Sequence, residues 1–262
     1  MEQFIESNKR AFTLLVTIHC KEKCKFRVVA EDLKPNSKYV DRTIEVEEGK
    51  RTIELKFPVS PEKLRLSVNV AKDVVLKPDY MVHVAETDLV TFNIFLDDQA
   101  KRFLSFIVPF CQFEGYTPAT PGGRIYTTQS HEFNLKFFTQ IKDYMTGKVI
   151  GTPARIGHRT GIIEVSKEKL DRYTIPMRLI ILLHEFSHKY RNPKIGLPIN
   201  HESGADINAL YIYLGLGYSK VDAIYVFANV FLKAQTDGNI RRMRNIMEYI
   251  TKFENGQFAE KN

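Results

Sequence analysis

The sequence predicts a two-domain protein, with an all-β sandwich at the N-terminus and an α+β domain after it. Residues 1–112 contain short runs rich in β-branched and aromatic side chains, which is typical of strands. Residues 113–130 are rich in proline, glycine and hydroxyl side chains, as linkers and loops are. Residues 131–262 repeat apolar side chains at helical spacing.

Seven or eight strands are predicted in the first domain. In residues 43–47 and 52–57 apolar and charged side chains alternate, so each segment presents one apolar face. Glu48-Gly49-Lys50 between them has the composition of a hairpin turn, and we expect these two segments to pair. Short strands separated by regular turns are typical of an antiparallel sandwich. The other predicted strands cover residues 12–20, 25–33, 63–70, 81–88, 90–98 and 103–111.

The second domain is predicted to combine helices with one pair of strands. A helix is expected over residues 133–145, because apolar side chains recur there at helical spacing and Gly147 follows as a C-cap. Two extended segments, residues 152–158 and 161–166, come next. Four further helices are expected over residues 175–190, 200–214, 221–234 and 240–253.

Composition excludes several classes of protein. With 44% hydrophobic and 26% charged residues, the chain is too apolar to be disordered, and three cysteines cannot form a disulfide framework. No apolar run is long enough to span a bilayer, so membrane insertion is not expected. The apolar segment 11–18 is short and follows Glu2 and Glu6, unlike a cleaved signal peptide. We therefore expect a cytoplasmic protein, or one that is released without a cleaved signal peptide, as a virion component would be.

The net charge of +7 lies mostly in residues 111–262, but the basic side chains are scattered. The one local cluster, Arg241, Arg242 and Arg244, fits the exposed face of an amphipathic helix. Nucleic acid is therefore not expected as a partner.

The strongest chemical signal is the HExxH motif His184-Glu185-Phe186-Ser187-His188. On a helix, residues i and i+4 lie on the same face, so His184 and His188 could bind one Zn²⁺ while Glu185 acts on a metal-bound water. The apolar run 179–183 places this motif on a buried helix, where an unpaired histidine would be costly.

A third metal ligand is expected from the start of the next helix, where Glu202 and Asp206 lie four residues apart. We predict Glu202 as the ligand and Asp206 as the acceptor of a hydrogen bond from a ligating imidazole. Asp206 and His201 remain alternative ligands. The intervening segment, 189–201, contains two prolines and a glycine and is long enough to reverse the direction of the chain.

HEFSH followed by ESGAD resembles the zincin metallopeptidases, and within them the Glu-zincins, over about residues 131–214. The resemblance implies an edge strand at residues 161–165, an active-site helix, a ligand-bearing helix, and Glu185 as the general base. The spacer before Glu202 is shorter than in thermolysin-like enzymes and is similar to that of compact zincins, such as the peptidases that cleave phage repressors. The metzincin pattern is excluded, because Arg191 and Lys194 stand where it needs glycine and histidine.

Two parts of such a site stay open. The oxyanion could be stabilised by His158, Arg159, Tyr211 or Tyr213, between which the sequence does not choose. The predicted strand at 162–165 could bind an extended peptide by edge pairing.

The expected function is that of a zinc metalloendopeptidase acting on a protein or peptide. The layout of the whole chain is also similar to that of zincin-type proteins of crAss-like tailed bacteriophages, relatives of which sit in the portal and tail of the virion. That resemblance implies an alternative: a virion component whose zincin domain is a scaffold or latent protease, with assembly partners or a second copy bound through the sandwich. A further alternative is a regulatory protease that cleaves a repressor.

Overall fold

The computed structural model describes residues 1–34, 37–71, 78–113, 118–195 and 201–257. The chain divides into two compact units, Met1–Thr91 and Phe92–Asn262. The first is all-β and the second combines helices with a sheet, which confirms the predicted fold class at that level. No helix in the described ranges has both the length and the apolar character needed to cross a bilayer.

In the first unit the described strands form two antiparallel sheets. One has the strand order β1-β6-β3-β4 and the other β5-β2-β7. Their buried faces meet: the ring of Phe26 lies 4.9 Å from that of Tyr80, and the ring of Tyr39 lies 6.3 Å from that of Phe57. The strands are β1 (Glu2–Glu6), β2 (Phe12–Cys20), β3 (Cys24–Asp32), β4 (Lys38–Val46), β5 (Gly49–Phe57), β6 (Lys63–Val70) and β7 (Tyr80–Thr87).

The hairpin expected around Glu48-Gly49-Lys50 is wrong. β4 pairs with β3, whereas β5 pairs with β2, so the two segments belong to different sheets. The chain crosses from one sheet to the other after Val46, and Gly49 turns the corner with a φ of 105°, which favours glycine. The alternation predicted the strands correctly, but it carries no information about which strand each one pairs with.

The described residues of the second unit form a four-stranded sheet of order β10-β11-β9-β8, six α-helices and one π-helical segment. β9 and β11 are parallel, and the outer strands pair antiparallel with them. The strands are β8 (Arg124–Thr127), β9 (Asn134–Phe138), β10 (Ala154–Ile156) and β11 (Ile163–Ser166). The helices are α1 (Asp98–Phe113), α2 (Lys167–Leu170), α3 (Ile175–Ser187), α4 (Glu202–Gly215), α5 (Lys220–Val226) and α6 (Asp237–Glu254).

Two strands predicted for the first domain are wrong. Residues 103–111 lie inside α1, and residues 90–97 form neither a strand nor a helix. The apolar side chains there are β-branched or aromatic, but Ala100, Phe103 and Ile107 are buried at helical spacing along one face. The division between the two units therefore lies about twenty residues earlier than predicted.

The helix predicted over residues 133–145 is also wrong. Residues 134–138 form β9, in which Leu135 and Phe137 are buried and their neighbours are partly exposed. Burial of every second residue is typical of a strand. The apolar residues that follow in the sequence obscure this alternation and produce a helix-like spacing. The predicted linker 113–130 contains β8, so it contributes to the second unit. Its residues 114–117, like the predicted helix start at residue 200, lie outside the described residues.

Candidate metal centre

The HExxH motif lies at the end of α3, the most deeply buried helix of the second unit. All thirteen residues of α3 are buried, and Pro176 in its first turn suits a helix start. Because His184 and His188 are one turn apart, their imidazoles lie on the same side, with ring centroids 4.9 Å apart. The sequence prediction that the motif projects from a buried helix is confirmed.

Helix α4 packs against α3 and brings a carboxylate to the two imidazoles. His184 Nε2 lies 3.2 Å from His188 Nε2 and 3.5 Å from Oε2 of Glu202. His188 Nε2 lies 3.6 Å from the other oxygen of Glu202, Oε1. These three side chains are the one group of three or more potential ligands found together within the described parts of the chain.

The spacing of these atoms fits a tetrahedral metal ion. Zinc bonds to imidazole nitrogen and carboxylate oxygen of about 2.0–2.1 Å place neighbouring ligand atoms about 3.3–3.4 Å apart. The observed separations of 3.2, 3.5 and 3.6 Å lie close to that value. His184, His188 and Glu202 therefore form a cluster that could hold a metal ion, with a fourth position left open.

Glu185 lies beside this cluster, buried between α3 and β10. Only 7% of Glu185 is exposed, and this burial raises the pKa of its carboxyl group. The backbone N–H of Ile156 donates a hydrogen bond to the carboxylate, which partly offsets the rise in pKa. A carboxylate with a raised pKa accepts and returns a proton more readily near neutral pH than an ordinary glutamate does. The arrangement is suited to general base chemistry.

Asp206 stands behind His184 on the side away from the cluster. Its Oδ1 lies 3.0 Å from His184 Nδ1, an ion-pair contact in which Nδ1 does not reach the geometry of a hydrogen bond. A carboxylate at Nδ1 favours the tautomer whose Nε2 is free to bind a metal. Asp206 thus lies next to a ligating imidazole, as the sequence predicts, whereas its role as a hydrogen-bond acceptor stays a prediction. His201 is the exposed N-cap residue of α4 and is not part of the cluster.

Arg242 of α6 joins the site, and sequence reasoning missed it. Its Nε and Nη2 donate to the two carboxylate oxygens of Asp206 at 2.8 and 2.9 Å, and Nη2 lies 3.0 Å from Oε2 of Glu202. The sequence placed Arg242 with Arg241 and Arg244 on an exposed helix face. Those two are exposed, but Arg242 points inward and only 14% of its side chain is exposed.

The charges of the site favour a cation at its centre. Burial lowers the pKa of His184, but the carboxylates of Asp206 and Glu202 outweigh it and raise the pKa to about 9. The contact with His184 lowers the pKa of Glu202 most, and the charge of Arg242 lowers it further, to about 2. Burial acts in the opposite direction but is outweighed. Burial and the charge of His184 lower the pKa of His188. Asp206 and Glu202 thus favour a positive charge at His184, where a divalent cation could take the place of a proton, and Arg242 contacts the same two carboxylates.

Aromatic side chains after α5 form an apolar wall against His184. The chain continues from α5 into a π-helical segment, Phe227–Phe231, and the ring of Phe231 lies 4.0 Å from that of His184. Such segments are often found at functional sites. The sequence predicted one continuous helix over 221–234, and no signal in it marked Phe231.

Of the four predicted oxyanion donors, the structure brings His158 to the site. Its ring follows β10 and lies 6.3 Å from that of His188. Tyr211 instead accepts a hydrogen bond from the backbone N–H of Phe95, and Tyr213 stacks on Tyr218.

The edge strand implied by the resemblance is misplaced. Residues 163–166 form β11, which lies between β10 and β9, so the strand at the edge of the sheet near the site is β10. Arg155 of β10 lies opposite Glu164 of β11, and the two form an ion pair in which Arg155 Nε is 2.7 Å from Glu164 Oε2.

No protein-family model, no curated protein and no solved structure matches this chain. The class of protein must therefore be inferred from the site itself.

Proposed function

We propose that this protein is a zinc-dependent peptidase that hydrolyses peptide bonds with Glu185 as the general base. The observation that carries the proposal is the convergence of His184, His188 and Glu202 at tetrahedral spacing, next to the buried carboxylate of Glu185. Two imidazoles and one carboxylate are a ligand set typical of catalytic zinc, which keeps a fourth position open. A bound zinc ion would lower the pKa of water and polarise the scissile carbonyl.

The chain's own residues supply orientation and proton transfer. Glu185 takes a proton from the attacking water and returns it to the leaving amine, which its raised pKa and burial favour. Asp206 holds His184 at Nδ1, and Arg242 holds Asp206 with two hydrogen bonds. Phe231 covers the ring of His184 and limits access of water to it.

β10 supports a peptide as the substrate. Among the described strands it pairs on one side only, with β11. Gly157 N–H donates to Ile162 O in that pairing, so the backbone of the preceding residue, Ile156, points the other way, toward Glu185. On this edge Ala154 O accepts from the Thr152 hydroxyl and Ile156 N–H donates to Glu185, so an extended peptide that paired here would exchange those bonds and pass beside Glu185.

The proposal is tested by zinc content and hydrolysis together. We expect about one zinc ion per wild-type chain by elemental mass spectrometry, lost in His188→Ala. Glu185→Gln should keep zinc but abolish cleavage of an unfolded protein substrate such as casein, whereas the matched exposed variant Glu248→Gln should cleave normally. Full activity in Glu185→Gln would refute the mechanism. Bound zinc without hydrolysis by the wild type would favour the structural alternative.

A further inference from the structure

A second concave site lies in the same unit as the metal centre but does not include its ligands. It is a cavity of about 270 Å³ between α1, the end of α3 and the turn that joins β10 to β11. A cavity of roughly 150 Å³ is enough to bind benzene, and drug-sized ligands usually need more than about 300 Å³. The cavity therefore suits one large side chain or a ligand of that size.

The inner wall of the cavity is aromatic and well packed. Phe103 and Phe186 stack with ring centroids 3.9 Å apart, and Phe133 meets Phe103 edge to face at 5.3 Å. All three are at most 8% exposed and therefore support the wall from behind, whereas Phe106, which is partly exposed, is the ring that a ligand would contact. Such a wall favours a flat ring or a branched aliphatic group.

The rim of the cavity is cationic. Arg159, in the turn after β10, and Lys189, just after α3, are exposed and line it. The ammonium of Lys189 donates to the backbone oxygen of His158, which keeps it beside this turn. The acidic lining residue Glu132 is neutralised by Arg102, which donates to both of its carboxylate oxygens at 2.8 and 2.9 Å.

We propose that this cavity binds a carboxylic acid that also carries an aromatic or branched aliphatic side chain. The carboxylate and the side chain are separated as they are within a single amino-acid residue. The side chain would pack on the phenylalanine wall, while Arg159 pairs with the carboxylate and Lys189 adds a second positive charge. Two sources offer this chemistry, the free C-terminal residue of a peptide and a small carboxylic acid. The proposal stands without the proposed peptidase function, since the cavity and the three metal ligands share no residue.

Binding can be measured by calorimetry with the full chain in the presence of a chelator, so that zinc does not contribute a carboxylate site. The probes are N-acetylphenylalanine, its amide, and N-acetylalanine. We expect the phenylalanine acid to bind about tenfold or more tightly than either of the others, because each lacks one of the two recognised groups. Equal binding of acid and amide, or no binding of the acid, would overturn the proposal.

Variants at the cavity locate the effect. Arg159→Gln should weaken binding of the acid about tenfold and leave the amide unchanged, because it removes a charge-assisted contact. Arg124→Gln, an exposed arginine of β8 outside the cavity, should change neither. Phe106→Ala should weaken both ligands. An unchanged affinity of the acid in Arg159→Gln would contradict the assignment even if the wild type binds it.

A short peptide ending in phenylalanine distinguishes the two sources. Tighter binding of the peptide acid than of N-acetylphenylalanine would support the site and identify a peptide C-terminus. Equal binding of the two would support the site and identify a small carboxylic acid. In both cases the result is independent of zinc, so it can fail or succeed separately from the peptidase proposal.

Discussion

The two halves of the candidate metal centre differ sharply in their surroundings. The inner half consists of His184, Asp206 and Arg242, whose side chains are 2%, 1% and 14% exposed. The outer half consists of His188 and Glu202, whose side chains are 9% and 55% exposed. His184 and His188 belong to one motif and lie one helical turn apart, but they face different environments.

This difference separates two tasks. The inner half resembles a protein core, because the carboxylate of Asp206 and the guanidinium of Arg242 are both largely shielded from water. Removing one partner of such a pair leaves the other as an unpaired buried charge. Glu202 in the outer half faces solvent, so a metal ion and a substrate can reach it. Substitutions in the inner half should therefore reduce both the free energy of unfolding and zinc affinity, whereas substitution of Glu202 should act mainly on zinc affinity.

The largest effect on zinc affinity is expected for Glu202→Ala. It removes one of three ligands, and we expect the affinity to fall by more than about 100-fold, beyond the range typical of residues that only orient a ligand. The free energy of unfolding of the zinc-free protein should fall by less than in Asp206→Ala, because Glu202 is half exposed and solvent weakens its contacts with Arg242 and His184. Zinc affinity is measured by competition with a chelator, with Glu248→Ala as the exposed control. Retained affinity in Glu202→Ala would show that Glu202 is not a zinc ligand.

Asp206→Ala should have a smaller effect on zinc and the larger effect on stability. Zinc affinity should fall by about 10–100-fold, because His184 loses the carboxylate at Nδ1. The free energy of unfolding should fall by about 3 kcal/mol, because Arg242 loses both of its hydrogen bonds to Asp206.

Urea unfolding of zinc-free Asp206→Ala, followed by the helical circular dichroism signal, measures this loss. All described helices lie in the second unit, so the signal reports on that unit. Asp98→Ala, an exposed aspartate at the start of α1, is the control. Unchanged stability in Asp206→Ala would show that the inner half is not part of the core.

The sequence predicted the site in so far as local spacing determines it. His184, Glu185 and His188 share one helix, and Glu202 and Asp206 share the next, so a period of 3.6 residues predicted which side chains lie together. Arg242 is 36 residues beyond Asp206 on a helix with mixed polar faces. Its contact depends on how α6 packs on α4, and its neighbours Arg241 and Arg244 have the same local pattern but are exposed.

The fold was predictable where one face of an element is buried and the other is solvated. The strands from β2 to β7 alternate in this way, and six of the predicted strands match them. α1 was mistaken for strands because phenylalanine, isoleucine and valine dominate it, although its buried residues follow a helical period. The strand-like composition of this segment outweighed its helical periodicity in the prediction. The predicted boundary between the units therefore lies after α1 instead of before it. Strand pairing, as between β4 and β5, depends on the whole sandwich and has no local signature.

The smallest of these effects is expected for Arg242→Lys, which keeps the charge and loses the two parallel hydrogen bonds. A lysine ammonium is a point charge and cannot hold both oxygens of Asp206 in one plane, as the guanidinium does. We expect the free energy of unfolding to fall by about 1–2 kcal/mol and zinc affinity by less than about tenfold, since Asp206 stays in place. Arg241→Lys changes the neighbouring exposed arginine and should alter neither quantity. If both variants behave like the wild type, charge alone maintains the inner half, and the geometry of the guanidinium contributes nothing to it.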